Sequence, residues 1–524
     1  MRVMNFKILI ILLFSFIVVN GSAQYSGGKG TEINPYLVTS KVDMEMLSSL
    51  VNSGISFNGT YFQLTQDLTG LNDTVSTIIG TYSSYPGIPT FPFMGIFDGN
   101  GHEISVNIKV NENNMREGVL GAGIFGYSSG ATIKNLKVSG KISFETALND
   151  CSFNFYGGGI CGYAVGTTIT NCYNKCSIIA YSSSCSHFLN NNNCKFYIGG
   201  ICGYQTSSMI SCCYSSGDIS SLFSPSTESI YLPSYTHYYT YSGGICGFMD
   251  TQVAGQDVTI DNCYNIGKIS SETEIPVLIG IGTGAYSGGI CGGGKVSLDK
   301  YGVNHTTIIR SYNIGDISAF SISPDTFSPF CGGICGSGCT VGSCFVSNCQ
   351  IKNNLASNMG RIYGDNDFYY VSVKNCYSDN SVLLNGTTSS NTNSDQKNGK
   401  DAMIADFQRL SWLQSTLGWD FNTIWDILGA GKFPELQMQY NILSGLPEIN
   451  SIKISIYPNP AKDEIFIKSE LQIKKIEIYS ATGALLLSDN NFNGRMSISS
   501  LLKGIYLVKV YTDNGITVSK IMKE

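Results

Sequence analysis

Along the middle of the chain, short apolar steps of two or three residues alternate with glycine and asparagine, and one such step returns five times in nearly the same spelling. The copies are Gly158-Gly159-Ile160-Cys161-Gly162, Gly199-Gly200-Ile201-Cys202-Gly203, Gly243-Gly244-Ile245-Cys246-Gly247, Gly288-Gly289-Ile290-Cys291-Gly292 and Gly332-Gly333-Ile334-Cys335-Gly336. An earlier copy, Gly123-Ile124-Phe125-Gly126-Tyr127, has Phe where the others have Cys. Each is followed by a second apolar step, as in Ile169-Thr170-Asn171-Cys172-Tyr173, Ile210-Ser211-Cys212-Cys213-Tyr214, Ile260-Asp261-Asn262-Cys263-Tyr264 and Ile308-Ile309-Arg310-Ser311-Tyr312, with Val373-Lys374-Asn375-Cys376-Tyr377 as a late, degraded member. Self-similarity at roughly 40 to 45 residues marks a stacked architecture in which each unit buries its apolar face against its neighbours. Short β-branched strands punctuated by Gly and Asn, about three per unit, predict an all-β chain whose main body is a right-handed parallel β-helix. Successive coils then pair in register, Ile over Ile and Asn over Asn.

The last stretch changes period. Alternating apolar positions in Ile454-Ser455-Ile456-Tyr457, Ile476-Glu477-Ile478-Tyr479 and Ile505-Tyr506-Leu507-Val508-Lys509-Val510, separated by turn residues, predict a small antiparallel Ig-like β-sandwich. At the other end Arg2 and Lys7 precede an apolar run from Ile8 to Val19 and the small residues Gly21-Ser22-Ala23, the pattern of a cleaved signal peptide. The predicted organisation is a signal peptide at 1–23, β-helix repeats at 111–440, a linker at 441–451 and the sandwich at 452–524; 24–110 resembles the segment that precedes the repeats in similar chains, which implies an N-terminal cap and first coils there.

Charge narrows the partners. Only 13% of the residues are charged and the formal net charge is -6, so no basic field exists to hold nucleic acid. Eighteen cysteines in an exported chain invite a disulfide framework. Phe125 and Leu136 stand where Cys161 and Cys172 stand in later copies, which argues instead for interior thiols acting as small buried hydrophobes. Disulfides within the ladder remain the alternative, since stacked strands put Cα atoms within bonding reach, and the dense set Cys331, Cys335, Cys339, Cys344 and Cys349 reads as core thiols or one disulfide. Cys185 and Cys194, flanking the polar turn Asn190 to Asn193, are the candidate disulfide outside the ladder. The spacing suits no zinc site, and neither a metal nor another cofactor is expected.

Catalytic signatures are sparse. His102, His187, His237 and His305 fall in different repeats and loops, with no HExxH helix or nucleophile elbow, so no catalytic residue is assigned. Asp98-Gly99-Asn100-Gly101-His102 reads as a tight turn rather than a cation loop. The candidate ligand-binding residues are aromatic: Tyr231, Tyr235, Tyr238, Tyr239 and Tyr241 crowd the segment before Gly243, where ring faces at a loop would stack on sugars or fill a protein interface. The alternative is that these rings cover the flank of the helix.

The Gly-Gly-Ile-Cys-Gly and Asn-Cys-Tyr steps together resemble the GLUG motif over roughly Gly121 to Tyr377; the fourth copy departs from it with Arg310-Ser311 in place of Asn-Cys. Gly418-Trp419-Asp420-Phe421, Ile424-Trp425 and Lys432-Phe433-Pro434-Glu435-Leu436 resemble the usual close of such repeat regions. Tyr457-Pro458-Asn459-Pro460-Ala461, Tyr479-Ser480-Ala481-Thr482-Gly483 and Lys503-Gly504-Ile505-Tyr506, in this order before the chain end, resemble the type A C-terminal sorting domain of the type IX secretion system of Bacteroidota. That resemblance makes Pro458, Asn459, Pro460, Gly483, Gly504 and Tyr506 the sorting motif. It implies export to the cell surface or beyond by the type IX machinery, with attachment to surface lipopolysaccharide or release. Asp73-Thr74-Val75 resembles the O-glycosylation sequon of these bacteria. The function expected is that of an adhesin or glycan- or protein-binding module. The alternatives are a polysaccharide lyase or glycoside hydrolase on the same scaffold, and a purely structural surface protein.

Overall fold

The structure, a computed structural model, describes residues 25–437 and 454–524, with internal stretches left out, the longest at 147–153, 184–192, 225–236, 275–281 and 365–371. The signal-peptide and linker segments lie outside the described residues. The chain divides into two compact units, 1–442 and 443–524.

The first unit is a parallel β-helix. One coil runs through strands Asn193–Gly199, Cys202–Thr206, Met209–Ser211, Tyr214–Ser215 and Ile219–Phe223, and the next repeats it through His237–Gly243, Cys246–Asp250, Val258–Asp261, Tyr264–Asn265 and Ile269–Thr273. The register matches the repeat: Cys202 pairs with Cys246, Ile210 with Ile260, Tyr214 with Tyr264 and Ile219 with Ile269. Stacking the coils builds four sheets of seven, five, ten and sixteen strands, parallel except for one antiparallel pair, Leu383–Leu384 with Thr387–Thr388, at the edge of the largest. The sixteen-stranded sheet takes two segments from each coil, so a coil carries more strand segments than the three expected from the sequence.

Close approach of backbone explains the glycines. A Cβ on the first glycine of each of the five phrases would sit 1.9 to 2.1 Å from the carbonyl of that phrase's own cysteine. On the second it would sit 1.9 to 2.6 Å from the carbonyl of the corresponding residue in the next coil, and on the third 2.4 to 2.7 Å from backbone of the preceding coil. No side chain fits at any of the three. A further copy that the sequence reading missed, Gly360-Arg361-Ile362-Tyr363-Gly364, ends the series with Arg361 in the second place. There its guanidinium is fully buried, pairs with Asp401 at 2.6 Å and donates to the Asn398 and Gly399 carbonyls of the next passage of chain.

The second apolar step forms the opposite corner. Asn135, Asn171, Asn262 and Asn375 have φ near +50°, a left-handed conformation that asparagine tolerates better than most residues. Cys212, Arg310 and Ser343 take the same conformation in the other coils. Arg310 pairs with Asp261 of the preceding coil, Nε to Oδ1 2.9 Å, which accounts for the departure of the fourth copy. Asparagine columns lie inside the turn that follows: Asn265 Nδ2 donates to Asn313 Oδ1 at 2.8 Å, and each side chain also bridges its own turn. Ser215 interrupts the Asn-over-Asn column between Asn174 and Asn265.

Inside, Phe125 opens a column continued by Cys161, Cys202, Cys246 and Cys291, as the exchange of Phe for Cys implied. These thiols are fully buried and free. They do more than fill space. Cys161, Cys202, Cys246 and Cys291 each donate to the carbonyl two residues on, at 3.1 to 3.3 Å. In the second column the sulfurs of Cys213 and Cys263 accept the backbone N–H of Cys172 and Cys213, and Ser311 Oγ does the same for Cys263. Burial pushes the Cys161, Cys172, Cys246 and Cys291 thiols well above their ordinary range. Cys194 is buried within Asn193–Gly199, and Cys185 lies outside the described residues, so the proposed pair has only one member in view.

One end and one flank of the stack are covered. Helix Lys41–Asn52, whose first turn is closed by reciprocal bonds between Ser40 and Asp43, lays Met44, Leu47 and Val51 over the first coil. Along the flank, Tyr214, Tyr264, Tyr312 and Phe345 stack at 4.7 to 4.9 Å. The closing segment packs Phe407, Trp419, Trp425 and Leu436 against this ladder, with Trp425 Nε1 donating to Asn262 Oδ1 at 2.9 Å and Tyr312 Oη to the Pro434 carbonyl at 2.7 Å.

The second unit has two antiparallel sheets, one of three strands and one of four. Ile465, Ile467 and Met496 of the first share one core with Ile476, Ile478, Val508 and Val510 of the second, the predicted sandwich.

The corner geometry predicts a large penalty for one methyl group. In Gly244→Ala the new Cβ would lie 2.2 Å from the Gly289 carbonyl and 2.4 Å from Asn265 Cγ. We expect a loss of about 3 kcal/mol, seen as a lowered thermal unfolding midpoint. At Gly130, φ +63° with nothing within 4 Å, the same change should cost only about 1 kcal/mol.

Candidate functional site

Three of the tyrosines before Gly243 are strand residues. Tyr231 and Tyr235 lie outside the described residues. Tyr238, Tyr239 and Tyr241 belong to strand His237–Gly243, so their side chains alternate between faces. Tyr238 is in the core, 1% exposed and edge-on to Phe223 at 5.6 Å, which removes it from any surface site. Tyr241 lies on the opposite side, in a stack that runs Tyr156, Tyr197, Tyr241, Tyr286, Phe330 at 4.5 to 5.5 Å.

A second ring column, Tyr127, Tyr163, Tyr204 and Phe248, lies across the glycine corner from the first. The corner turns so sharply that the columns meet: Tyr156 is 5.0 Å from Tyr163, Tyr197 is 5.0 Å from Tyr204 and Tyr241 is 4.8 Å from Phe248. The crease closes on itself, with Tyr156, Tyr163, Tyr197 and Tyr204 all below a tenth exposed. At its edge Tyr204 Oη donates to the buried Asp250 carboxylate at 2.5 Å, and Lys195 lies 5.6 Å over the Tyr239 ring. Burial, then the Asp250 carboxylate, raises the Tyr204 pKa. These rings serve mainly as packing, the alternative weighed against a ligand platform; Tyr239 keeps a partly exposed edge.

Among the described residues His102, His237 and His305 belong to different coils, and His187 lies outside them. His102 Nδ1 is 3.0 Å from Asp67 Oδ1. Asp98 caps its own turn by accepting from Asn100 N at 2.8 Å and from Asn135 Nδ2 at 2.9 Å, with Asn100 left-handed, as a tight turn requires.

An open groove of about 360 Å³ lies elsewhere, on the outer face of the sixteen-stranded sheet. Ser220, Ser270, Ser318 and Lys352 form one row across four coils in direct register. Two residues earlier in the chain, Asp218, Lys268 and Asp316, each just before its strand, and Gln350 form a parallel row. Asp218 accepts the Lys268 backbone N–H at 3.0 Å, and Asp316 accepts that of Gln350 at 2.8 Å. Among the described residues no ion pair ties these two carboxylates to a lysine. Beside the rows, burial and the neighbouring Glu274 raise the pKa of Glu272. The sequence reading missed this groove, because its residues are ordinary strand positions until the register aligns them.

In the second unit the proline motif joins the end of the chain. Tyr457-Pro458 and Asn459-Pro460 are cis peptides. Asn459 Oδ1 accepts from Met522 N at 2.9 Å, and the fully buried Ala461 donates its N–H to the Met522 carbonyl at 2.8 Å. Gly504 opens the strand Gly504–Thr512, and Tyr506 Oη reaches back to the Leu502 carbonyl at 2.7 Å. Gly483 lies outside the described residues. Residues 455–524 match the family described as Secretion system C-terminal sorting domain. This unit is a type IX sorting domain. No curated protein and no solved structure matches the chain. The sorting domain engages the type IX secretion machinery, so the chain is exported to the cell surface or secreted.

On the outer face of the sorting domain, Glu477 accepts from Lys475 at 2.7 Å, Tyr479 Oη at 2.6 Å and Tyr511 Oη at 2.5 Å. The Lys475 ammonium first, then the two hydroxyls, lower its carboxyl from 4.5 to about 2. A carboxyl depressed in the folded state stabilises above its unfolded value and loses that contribution as pH falls toward the folded one. Glu477→Gln should therefore flatten the acid-induced weakening of strand Ile473–Ser480 between pH about 4.5 and about 2, read by hydrogen exchange in the full chain.

Proposed function

We propose that the chain is a surface adhesin whose β-helix serves as a glycan- or protein-binding module, held outside the cell after type IX export. In this reading 1–23 is the leader, 24–110 caps the stack, 111–440 are GLUG-type repeats and 441–451 is a linker to the sorting domain. The outer end of the route is attachment to lipopolysaccharide or release. The observation that carries the reading is the groove, in which hydroxyls and unpaired charges of both signs line an open surface spanning four coils. Open and polar, it suits an extended partner held by many weak contacts.

One observation favours a second reading, cleavage of a polysaccharide. Asp218 and Asp316 sit in one row two coils apart, so their Cα atoms are separated by about 9.6 Å at the usual strand spacing. That approaches the carboxylate separation of inverting glycosidases. A purely structural surface protein would bind nothing.

Two measurements test these readings. A chain lacking Pro458 to Glu524 should stay in the periplasm, and surface display of that truncated chain would remove the export half. The full chain on an array of host and environmental glycans and proteins should give saturable binding without release of new reducing ends. Reducing ends would favour cleavage; an array silent at every probe would leave the structural reading.

A further inference from the structure

We infer that the groove over Asp218, Lys268 and Asp316 binds a neutral, hydroxyl-rich glycan strand lying along the axis of the stack, an inference that rests on the binding role proposed above. Its walls are the two rows already described, and each row advances one residue per coil, about every 4.8 Å.

Charge selects among polymers. A polyanion laid along the groove would meet Asp218 and Asp316, and a polycation would meet Lys268 and Lys352. Neither finds a continuous partner, since the signs alternate within one row. An extended peptide presents its same-side groups about every 6.8 Å and falls out of step with the coils within two of them. Sugar rings are close to the coil spacing in size, and each carries hydroxyls that both donate and accept. Such a ligand satisfies all the groups present: carboxylates that only accept, ammoniums that only donate, and the Ser220, Ser270 and Ser318 hydroxyls, which do either.

The backbone is already set to receive it. Asp218 and Asp316 each have one oxygen engaged by a backbone N–H of the next coil, which holds the carboxylate in place before a ligand arrives. The ladder hydrogen bonds beneath are complete, so the site is rigid in the direction in which it repeats.

The test uses the full chain and three probes: a panel of neutral oligosaccharides, polygalacturonate and polylysine. Two variants address the groove. Asp218→Asn with Asp316→Asn keeps an oxygen for each backbone bond but removes the charge, and Ser270→Trp fills the floor. Met209→Ala, at an exposed position on the ten-stranded sheet, is the control, and circular dichroism with the thermal midpoint checks that all three remain folded. We expect the unaltered chain to bind a neutral oligosaccharide, both groove variants to lose about tenfold or more of that affinity, and Met209→Ala to lose none. Neutral-glycan binding that survives in both groove variants would overturn the groove while leaving a binding role in place. Binding confined to polygalacturonate or polylysine would overturn the charge argument, and absence of binding to every probe would overturn the glycan site and weigh against the adhesin reading itself.

Discussion

Backbone packed on backbone at the glycine corner is the contact from which the rest of the β-helix follows. Three glycines in five residues let the chain touch its own cysteine carbonyl, the coil above and the coil below with no side chain between. Because every coil makes the same contacts, the coils cannot slip, and a shift of one residue would turn each strand inside out. The in-register columns of isoleucine, cysteine and tyrosine are consequences of that fixed stacking.

The same corner shapes the outside. Strands that leave it in different directions bring their outer tyrosines within 5 Å of one another, and the rings close the crease that the glycines open. On the other flank the tyrosine ladder is covered by the tryptophan-bearing segment of the closing region. The thiols belong to this economy of space. A cysteine fits where a phenylalanine fits, and it also returns a hydrogen bond to the strand carbonyl two residues on, which Phe125 cannot do. Where Ser311 takes the place of a cysteine, the bond to the neighbouring coil is kept by oxygen.

Two faces are thus occupied by the protein's own aromatic rings, and the long sheet beyond the asparagine turn presents the polar and charged rows of the groove beside an outward row of Tyr181, Leu222, Glu272 and Phe320. A surface of that kind holds a ligand by repetition rather than by a deep pocket. It is rigid because its hydrogen-bond ladder is complete. Chemistry at the far end of the chain is separate: the sorting domain has its own core, and its proline motif is tied to the last strand through Asn459 and Ala461.

The repeat, the interior place of the cysteines, the sandwich at the end and the sorting motif could all be read from the sequence, since each is local in the chain: a phrase, an exchange of Phe125 for Cys161, an alternation of period two. The crease and the groove could not. Tyr241 looked like a loop ligand because the sequence does not say which side of a strand a ring occupies, and Tyr238 proved to be core for the same reason. Arg361 has no visible role in the sequence, because the groups that hold its side chain, Asn398, Gly399 and Asp401, come from the next passage of chain over that corner. Asp218, Lys268 and Asp316 lie about fifty residues apart, and only the register of stacked coils makes them neighbours. By itself the sequence determined that the chain is a stack of coils with an export tail; the tertiary structure decided which side chains meet on its surface, because lateral contacts in a β-helix join residues one full coil apart.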